Sequence, residues 1–271
     1  MNANYAVKTV GVFASAVFLL GASNFCLADW IIGGGAKASY VIFSEVENGQ
    51  TFNQERGQIT TTDLFVQNYW SEHFATRLSG GFGSGTLNYE GETQIGLLFT
   101  TESEYSTNHL EASLEWDFDK IDVSLGLGRS YVERNIISTT FISGLYEETT
   151  HFYPFLGLSV SLFKNSFFQC AFQIRTEYFT KSDLLVEFAG RYDQAEATLA
   201  SGYAFYGALP LSLGSASSWH VTLVPAYGYA SIDKSESVKL FQNQQDTGFT
   251  FYQPQLEREY FSLNLSLSKR F

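Results

Sequence analysis

The chain is short of the residues that staple a fold or load it with a cofactor. It has two cysteines in 271 residues, and Cys26 falls in a leader expected to be removed, leaving Cys170 alone and no intramolecular disulfide possible. No Cys/His set has the spacing of a metal site. Gly33, Gly34 and Gly35 lead into an extended segment rather than opening a helix, so they do not form a phosphate cradle. No cofactor and no metal are expected. Only four prolines occur and no segment has a helical period, which argues for an all-β chain. Cations are scarce, with 16 Lys plus Arg against 28 Asp plus Glu and a formal charge of −12. That excludes the clustered positive charge on which nucleic-acid binding depends. Beyond the leader, no apolar run approaches the about 20 residues a membrane helix needs.

The leader itself is informative. Lys8 stands in a short polar stretch, an apolar run extends from Val10 to Leu20, and small residues stand at the first and third positions before Asp29. Eleven apolar residues are too few to cross a bilayer as a helix, so residues 1–28 read as a secretory signal peptide cleaved after Ala28. Asn24 and Phe25 precede Cys26 where a lipid-anchor signal wants small residues, so Cys26 is expected to leave with the signal. Residues 29–271 then form the mature domain.

Aromatic residues are abundant, at 17% with 25 Phe and 16 Tyr. They accompany stretches that alternate apolar and polar residues. At the C-terminus, Phe261, Leu263, Leu265, Leu267 and Phe271 share one face of an extended strand, with serine, asparagine and arginine opposite. Leu110, Ala112, Leu114, Trp116 and Phe118 alternate in the same way before Asp119 and Lys120, and Ile121, Val123, Leu125 and Leu127 after them. A second hairpin sets Pro154, Leu156, Leu158, Val160 and Leu162 against Phe168, Cys170, Phe172 and Ile174. Apolar-out, polar-in strands suit a barrel in lipid, because a bilayer offers no water to an unpaired backbone amide.

Ten strands are expected, at 36–46, 58–70, 74–83, 109–118, 121–128, 153–162, 168–178, 198–205, 219–229 and 261–271. The fold class is an all-β, antiparallel up-and-down transmembrane barrel, with eight or twelve strands as rivals. Tight turns are expected at 71–73, 119–120 and 164–166, and a looser one at 207–218. Pro225 should mark a bulge, since proline cannot donate to the ladder. Twelve strands would require residues 94–101 and 184–192 to enter the membrane; here they are read as protruding hairpin extensions. Five longer loops then face outward, the long 135–150 segment among them, and their charged segments 45–56, 90–104, 133–148, 181–193 and 233–246 hold 16 carboxylates against six Lys and Arg, a solvated face or an attractor of cations and basic ligands.

The alternation aims Lys37, Asp63, Arg77, Glu111, Glu115, Asp117, Asp122, Arg175, Glu177, Glu196 and Arg270 into the barrel. Seven carboxylates would face four cations there. Either they pair and plug the lumen, or they line a narrow cation-preferring path, with Gly81, Gly83, Gly126, Gly128, Gly157 and Gly202 leaving room. Four histidines are candidates for chemistry: His73 and His220 near the inner turns, His109 and His151 near the outer ends, the last two with Ser106 or Thr150 in reach. A nucleophile needs a base and an orienting third group, which sequence cannot show. Cys170 lies among apolar residues on the lipid face, and Arg129 should reach the outer interface, where it could snorkel or meet lipopolysaccharide phosphates.

Through the signal peptide, these hairpins and terminal Phe271, the chain resembles the Gram-negative single-chain outer-membrane β-barrels. The resemblance implies insertion from a chaperoned periplasmic intermediate by the barrel-assembly machinery, with Phe261, Leu263, Leu265, Leu267 and Phe271 as the assembly signal. Lys269 departs from the aromatic or apolar residue usual two places before the terminus. The partners implied are outer-membrane lipid and lipopolysaccharide, with the barrel-assembly machinery and periplasmic chaperones. The function expected is non-enzymatic: a surface scaffold or adhesion-type barrel, or a narrow porin-like channel with acidic loops. The alternative is a barrel hydrolase of lipid or peptide bonds with a rim site near His109 and His151.

Overall fold

The computed structural model describes residues 29–92, 98–139, 143–214 and 219–271. The expected signal peptide, residues 94–97 of the 94–101 segment and residues 215–218 of the looser turn lie outside the described residues. Six strands run antiparallel, each paired with the next: β1 (Asp29–Glu47), β2 (Gln50–Ser71), β3 (Phe74–Glu92), β4 (Leu98–Phe118), β5 (Ile121–Ile136) and β6 (Leu145–Lys164). β7 (Phe168–Phe179) and its upward continuation β8 (Ser182–Glu187) both pair with β6. β9 (Ala195–Leu199), β10 (Gly202–Ala208) and β11 (Leu211–Leu213) follow one another down the wall, and β12 (Trp219–Ile232) returns. β13 (Val238–Gln242) and β14 (Gln245–Phe251) make a separate hairpin within the last long connection. β15 (Gln255–Arg270) then pairs with both β12 and β1, from Ile31 opposite Arg270 to Val46 opposite Gln255. The result is a closed barrel of ten staves with Asp29 and Phe271 on one side.

The polarity of the wall changes along its height. In the half nearer the termini, Leu110, Leu114, Phe118, Leu125, Leu156, Leu158, Leu263 and Leu265 point outward and are exposed, as a lipid-facing band requires. Higher up the pattern inverts. On β3, Ser84, Thr86, Asn88 and Glu90 face out while Leu87 and Tyr89 are buried inside. On β8 and β9, Leu184, Val186, Ala197 and Leu199 are buried while Asp183, Glu196 and Thr198 are exposed. Above the band the barrel therefore obeys the rule for water, with apolar side chains gathered inside. Two internal clusters result: one around Tyr153, Phe179, Leu184, Leu199 and Ile232, the other around Val41, Ile59, Leu87 and Tyr105.

This inversion corrects several expectations. Segment 45–56 is mostly strand, and segment 135–150 is strand at both ends: β1 and β2 meet at a two-residue turn, Asn48 and Gly49, both with positive φ, while β5 runs to Ile136 and β6 starts at Leu145. An Asn-Gly pair is the residue choice such hairpin turns favour. The 98–101 and 184–187 stretches, by contrast, are the protruding extensions expected, as parts of β4 and β8 outside the band. The looser turn is shorter than 207–218, because the wall continues to Leu213. Pro225 marks no bulge: it stays in register opposite Leu263, and its carbonyl accepts from the Leu209 N–H at 3.0 Å. The inward glycines do not leave room either. A Cβ on Gly126 would lie 2.3 Å from Phe155 Cζ, and one on Gly128 2.3 Å from Tyr153 Cε2, because the ring opposite lies over each glycine.

Candidate functional site

Ten of the eleven expected lumenal charges occupy inward positions, and they fall into strata. Nearest the termini, Arg270 Nε donates to Asp29 at 2.7 and 2.8 Å, tying the last stave to the first. Gln67 donates to Glu115 at 2.8 Å, Arg77 lies 3.9 Å from the Phe65 ring centroid, and Asp117 stands directly opposite Asp122. Glu196 is the exception. The break at residues 200–201 between β9 and β10 reverses the facing, so Glu196 is exposed on the outer surface while Ala195 and Ala197 point inward.

The middle stratum is a compact ion cluster. Arg175 grips Glu111 with two hydrogen bonds of 2.9 and 2.6 Å and pairs with Glu177 at 2.7 Å. Tyr153 donates to Glu111 at 3.0 Å, Tyr206 donates to Glu177 at 2.8 Å, and the guanidinium rests 3.7 Å from the Phe155 ring centroid. A bidentate guanidinium with both carboxylates further hydrogen-bonded is the geometry that offsets the desolvation of buried charge.

The upper stratum lies above the band and was not foreseen. Arg134 reaches across the lumen from β5 and donates to Glu55 on β2 at 2.6 Å, Glu45 on β1 at 2.9 Å and Glu147 on β6 at 2.8 Å. Ser103 and Asn53 complete Glu55 and Glu45, each at 2.6 Å, and Gln253 adds 3.1 Å to Glu45. Burial alone would pull the Arg134 guanidinium down, but the three carboxylates more than reverse this and keep it charged. Burial also pushes the Glu147 carboxyl up, against the pull of Arg134, and Glu147 Oε1 has no hydrogen-bond partner. Arg134 and Glu147 lie on β5 and β6, where the apolar-out alternation fails and the sequence suggests loop. Arg258, also inward, could have been found by running the Phe261, Leu263 alternation three residues further back.

Between the middle and upper strata lies a chamber of about 410 Å³. Val41, Phe43, Ile59, Tyr105, Ile232 and Tyr260 form apolar and aromatic parts of its wall, and Lys37, Asp63, His109, His151 and Arg258 are its other ionisable groups. His109 Nε2 is 3.6 Å from Asp63 Oδ1, and His151 Nδ1 is 2.8 Å from Ser182 Oγ. Ser106 and Thr150 sit on the outward face of their strands, away from these rings, so neither supplies the nucleophile expected for a rim site. No carboxylate pairs with His151 among the described residues, and none of their acidic, His and Cys side chains is grouped to hold a metal. His73 lies in the β2–β3 turn and His220 near the terminus end of β12. Cys170 is half-buried, and Arg129 sits 5.5 Å from the Phe152 ring centroid at the top of the band.

Outside the barrel, above the band, a second polar group gathers. Glu133 and Glu148 stand directly opposite one another, Tyr146 OH lies 2.9 Å from each, and Ser106 donates to Glu133 at 2.5 Å.

No protein-family model and no curated protein matches the chain. Among solved structures it is similar to the outer membrane protease OmpT from Escherichia coli, with a TM-score of 0.62 and 11% identity over 90% of this chain and 96% of that one. It is also similar to the translocator domain of autotransporter NalP from Neisseria meningitidis, with a TM-score of 0.49 and 10% identity over 98% and 96% of the two chains. The outer membrane protein OprG from Pseudomonas aeruginosa follows with a TM-score of 0.37 and 10% identity over 90% and 96%. Identities this low speak of the fold alone. Closed on itself, apolar outside over half its height and charged within, the chain has the fold of the single-chain outer-membrane β-barrels.

Proposed function

We propose that this is a non-enzymatic surface barrel of the Gram-negative outer membrane, acting as a scaffold or adhesion-type protein whose lumen is closed to solute flow. The leader ending at Ala28 supports export, and the Leu263, Leu265, Leu267 and Phe271 stripe supports delivery to the barrel-assembly machinery. In this reading lipid and lipopolysaccharide are its surroundings, and Arg129, at the top of the apolar band beside Phe152, supports a contact with their phosphates.

The observation that carries the closed reading is the Arg134 crossbar. One guanidinium bridges β5 to β1, β2 and β6, and the Arg175 cluster fills a lower level. Charges paired in this way plug a small lumen rather than line a path, since freeing either partner would strand a buried charge. Ser106 and Thr150 point away from His109 and His151, and the serine that does reach His151, Ser182, is buried with no carboxylate paired to that ring among the described residues, which weighs against a rim hydrolase.

Planar-bilayer recording on the purified barrel tests this. Baseline current without stable steps is expected, with steps emerging only when both levels are opened in an Arg134→Ala, Arg175→Ala double variant. Sustained conductance steps from the wild-type protein would overturn the closed reading and restore the narrow channel.

A further inference from the structure

The chamber's charge does not balance. Six carboxylates and four Lys or Arg side chains line it. Around Arg134 alone, three carboxylates share a single cation. Glu147 is 5% exposed, and its Oε1 is buried with no hydrogen-bond partner. A buried carboxylate oxygen left without a donor is costly, so the site is incomplete as the chain alone builds it. Glu147 is among the residues that line the chamber, and a cation brought in there would supply both the missing donor and the missing charge once the carboxylate turns its occluded Oε1 toward it.

The surroundings define what kind of cation. Directly below the quartet, Val41, Ile59 and Tyr105 form a packed apolar wall, flanked by Phe43, Val132 and Tyr260. Phe43 and Tyr105 stack with ring centroids 5.2 Å apart. A bare metal ion would find no use for this wall, and none of the described groups has the donor set of a metal site. An organic cation would use both parts, its charged end against carboxylate and its body against rings. The volume of about 410 Å³ falls in the range of about 300–1,000 Å³ usual for small-molecule pockets. The acidic strand ends above, among them Glu90, Glu102, Glu104, Glu133 and Glu148, give the mouth a field that draws cations toward it.

We propose that the upper lumen is a binding chamber for a small organic cation, an amine or guanidine on an apolar or aromatic body, whose charged group pairs with Glu147 beneath the Arg134 crossbar. This goes beyond the closed-scaffold reading and does not depend on it, because a conducting barrel could hold the same ligand and the two assays are separate. The competing way to relieve Glu147 is to protonate it, and the two differ in their response to ligand charge.

The test uses the protein extracted from outer membranes in detergent. Titration calorimetry with phenethylamine, its neutral analogue 2-phenylethanol and the anion phenylacetate compares three probes of nearly equal shape. Saturable one-site binding of the amine is expected, at least tenfold tighter than the alcohol, with no binding of the anion. Glu147→Gln, which keeps the size and one acceptor while removing the charge, should weaken the amine at least tenfold and leave the alcohol unchanged. A control at the opposite end of the barrel, Glu72→Gln in the exposed β2–β3 turn, should leave both unchanged. If Glu147→Gln does not fold, judged by heat-shifted mobility in gels, Glu147→Asp withdraws the carboxylate by one methylene and should weaken the amine instead. No saturable amine binding, equal binding of amine and alcohol, preference for the anion, or unaltered amine affinity in the folded Glu147 variant would each overturn the proposal.

Discussion

Replacing Arg175 with methionine removes the one cation of the middle stratum while keeping most of its volume. Glu111 and Glu177 would then be buried without the guanidinium that bonds both, at 2.9 and 2.6 Å to the first and 2.7 Å to the second. Breaking a buried pair by deleting one partner costs about 3–5 kcal/mol. Loss of the guanidinium from the Phe155 face, 3.7 Å from the ring centroid, adds about 0.5–2 kcal/mol. A loss of about 3.5–7 kcal/mol is therefore expected for Arg175→Met. Urea unfolding from lipid vesicles, followed by fluorescence of the four tryptophans, measures it. The triple variant Arg175→Met, Glu111→Gln, Glu177→Gln tests the cause, since uncharged amides can still accept from Tyr153 and Tyr206. It should recover most of the loss. A single variant within about 1 kcal/mol of wild type, or a triple as unstable as the single, would refute the charge-pairing argument.

Gly126→Ala should cost about 1–3 kcal/mol in the same assay, because its Cβ would meet Ala112 O at 2.6 Å as well as the Phe155 ring, and the backbone oxygen cannot step aside. Leu265→Arg, on the outward face near mid-band, should cost about 2–4 kcal/mol, whereas Glu104→Arg, outward above the band, should cost little; equal effects would contradict the placement of the band. At the β13–β14 hairpin, Lys239 donates to Asp246 at 2.7 Å and the Gly248 N–H also reaches it, holding that carboxyl below its ordinary value of 3.8. A depressed carboxyl contributes above its unfolded pKa and loses that contribution as pH falls through the folded one. Amide exchange in this hairpin should thus show no loosening attributable to Asp246 between pH 7 and about 5, and a loosening only below about 4; an Asp246-dependent loosening near neutrality would count against the pair.

The ten staves were legible where lipid writes the pattern. Leu263, Leu265 and Leu267 alternate strictly because every second side chain must satisfy hydrocarbon, and the same holds for Leu156 and Leu158. Above the band the demand reverses, so Leu87 and Tyr89 turn inward while Ser84 and Asn88 turn out, and a reader following apolar-out alternation loses the strand. That is why 45–56 and 135–150 read as loops and why Arg134, Glu45, Glu55 and Glu147 were missed as a group. Their meeting is also non-local, joining residues 89 and 79 positions apart in the chain for Arg134 with Glu45 and Glu55. Glu196 was misplaced for a local reason, the interruption at residues 200–201 that separates β9 from β10. The glycines were read as empty volume because a single strand does not show that Phe155 and Tyr153 on the next one lie over Gly126 and Gly128.

Nitroxide labels placed one at a time at residues 261–267, in a Cys170→Ala background reconstituted in lipid, test the lipid-facing barrel most directly. Oxygen accessibility from electron paramagnetic resonance should alternate with period two, high at Phe261, Leu263, Leu265 and Leu267 and low at Ser262, Asn264 and Ser266. A flat profile, a helical period or the opposite phase would contradict it.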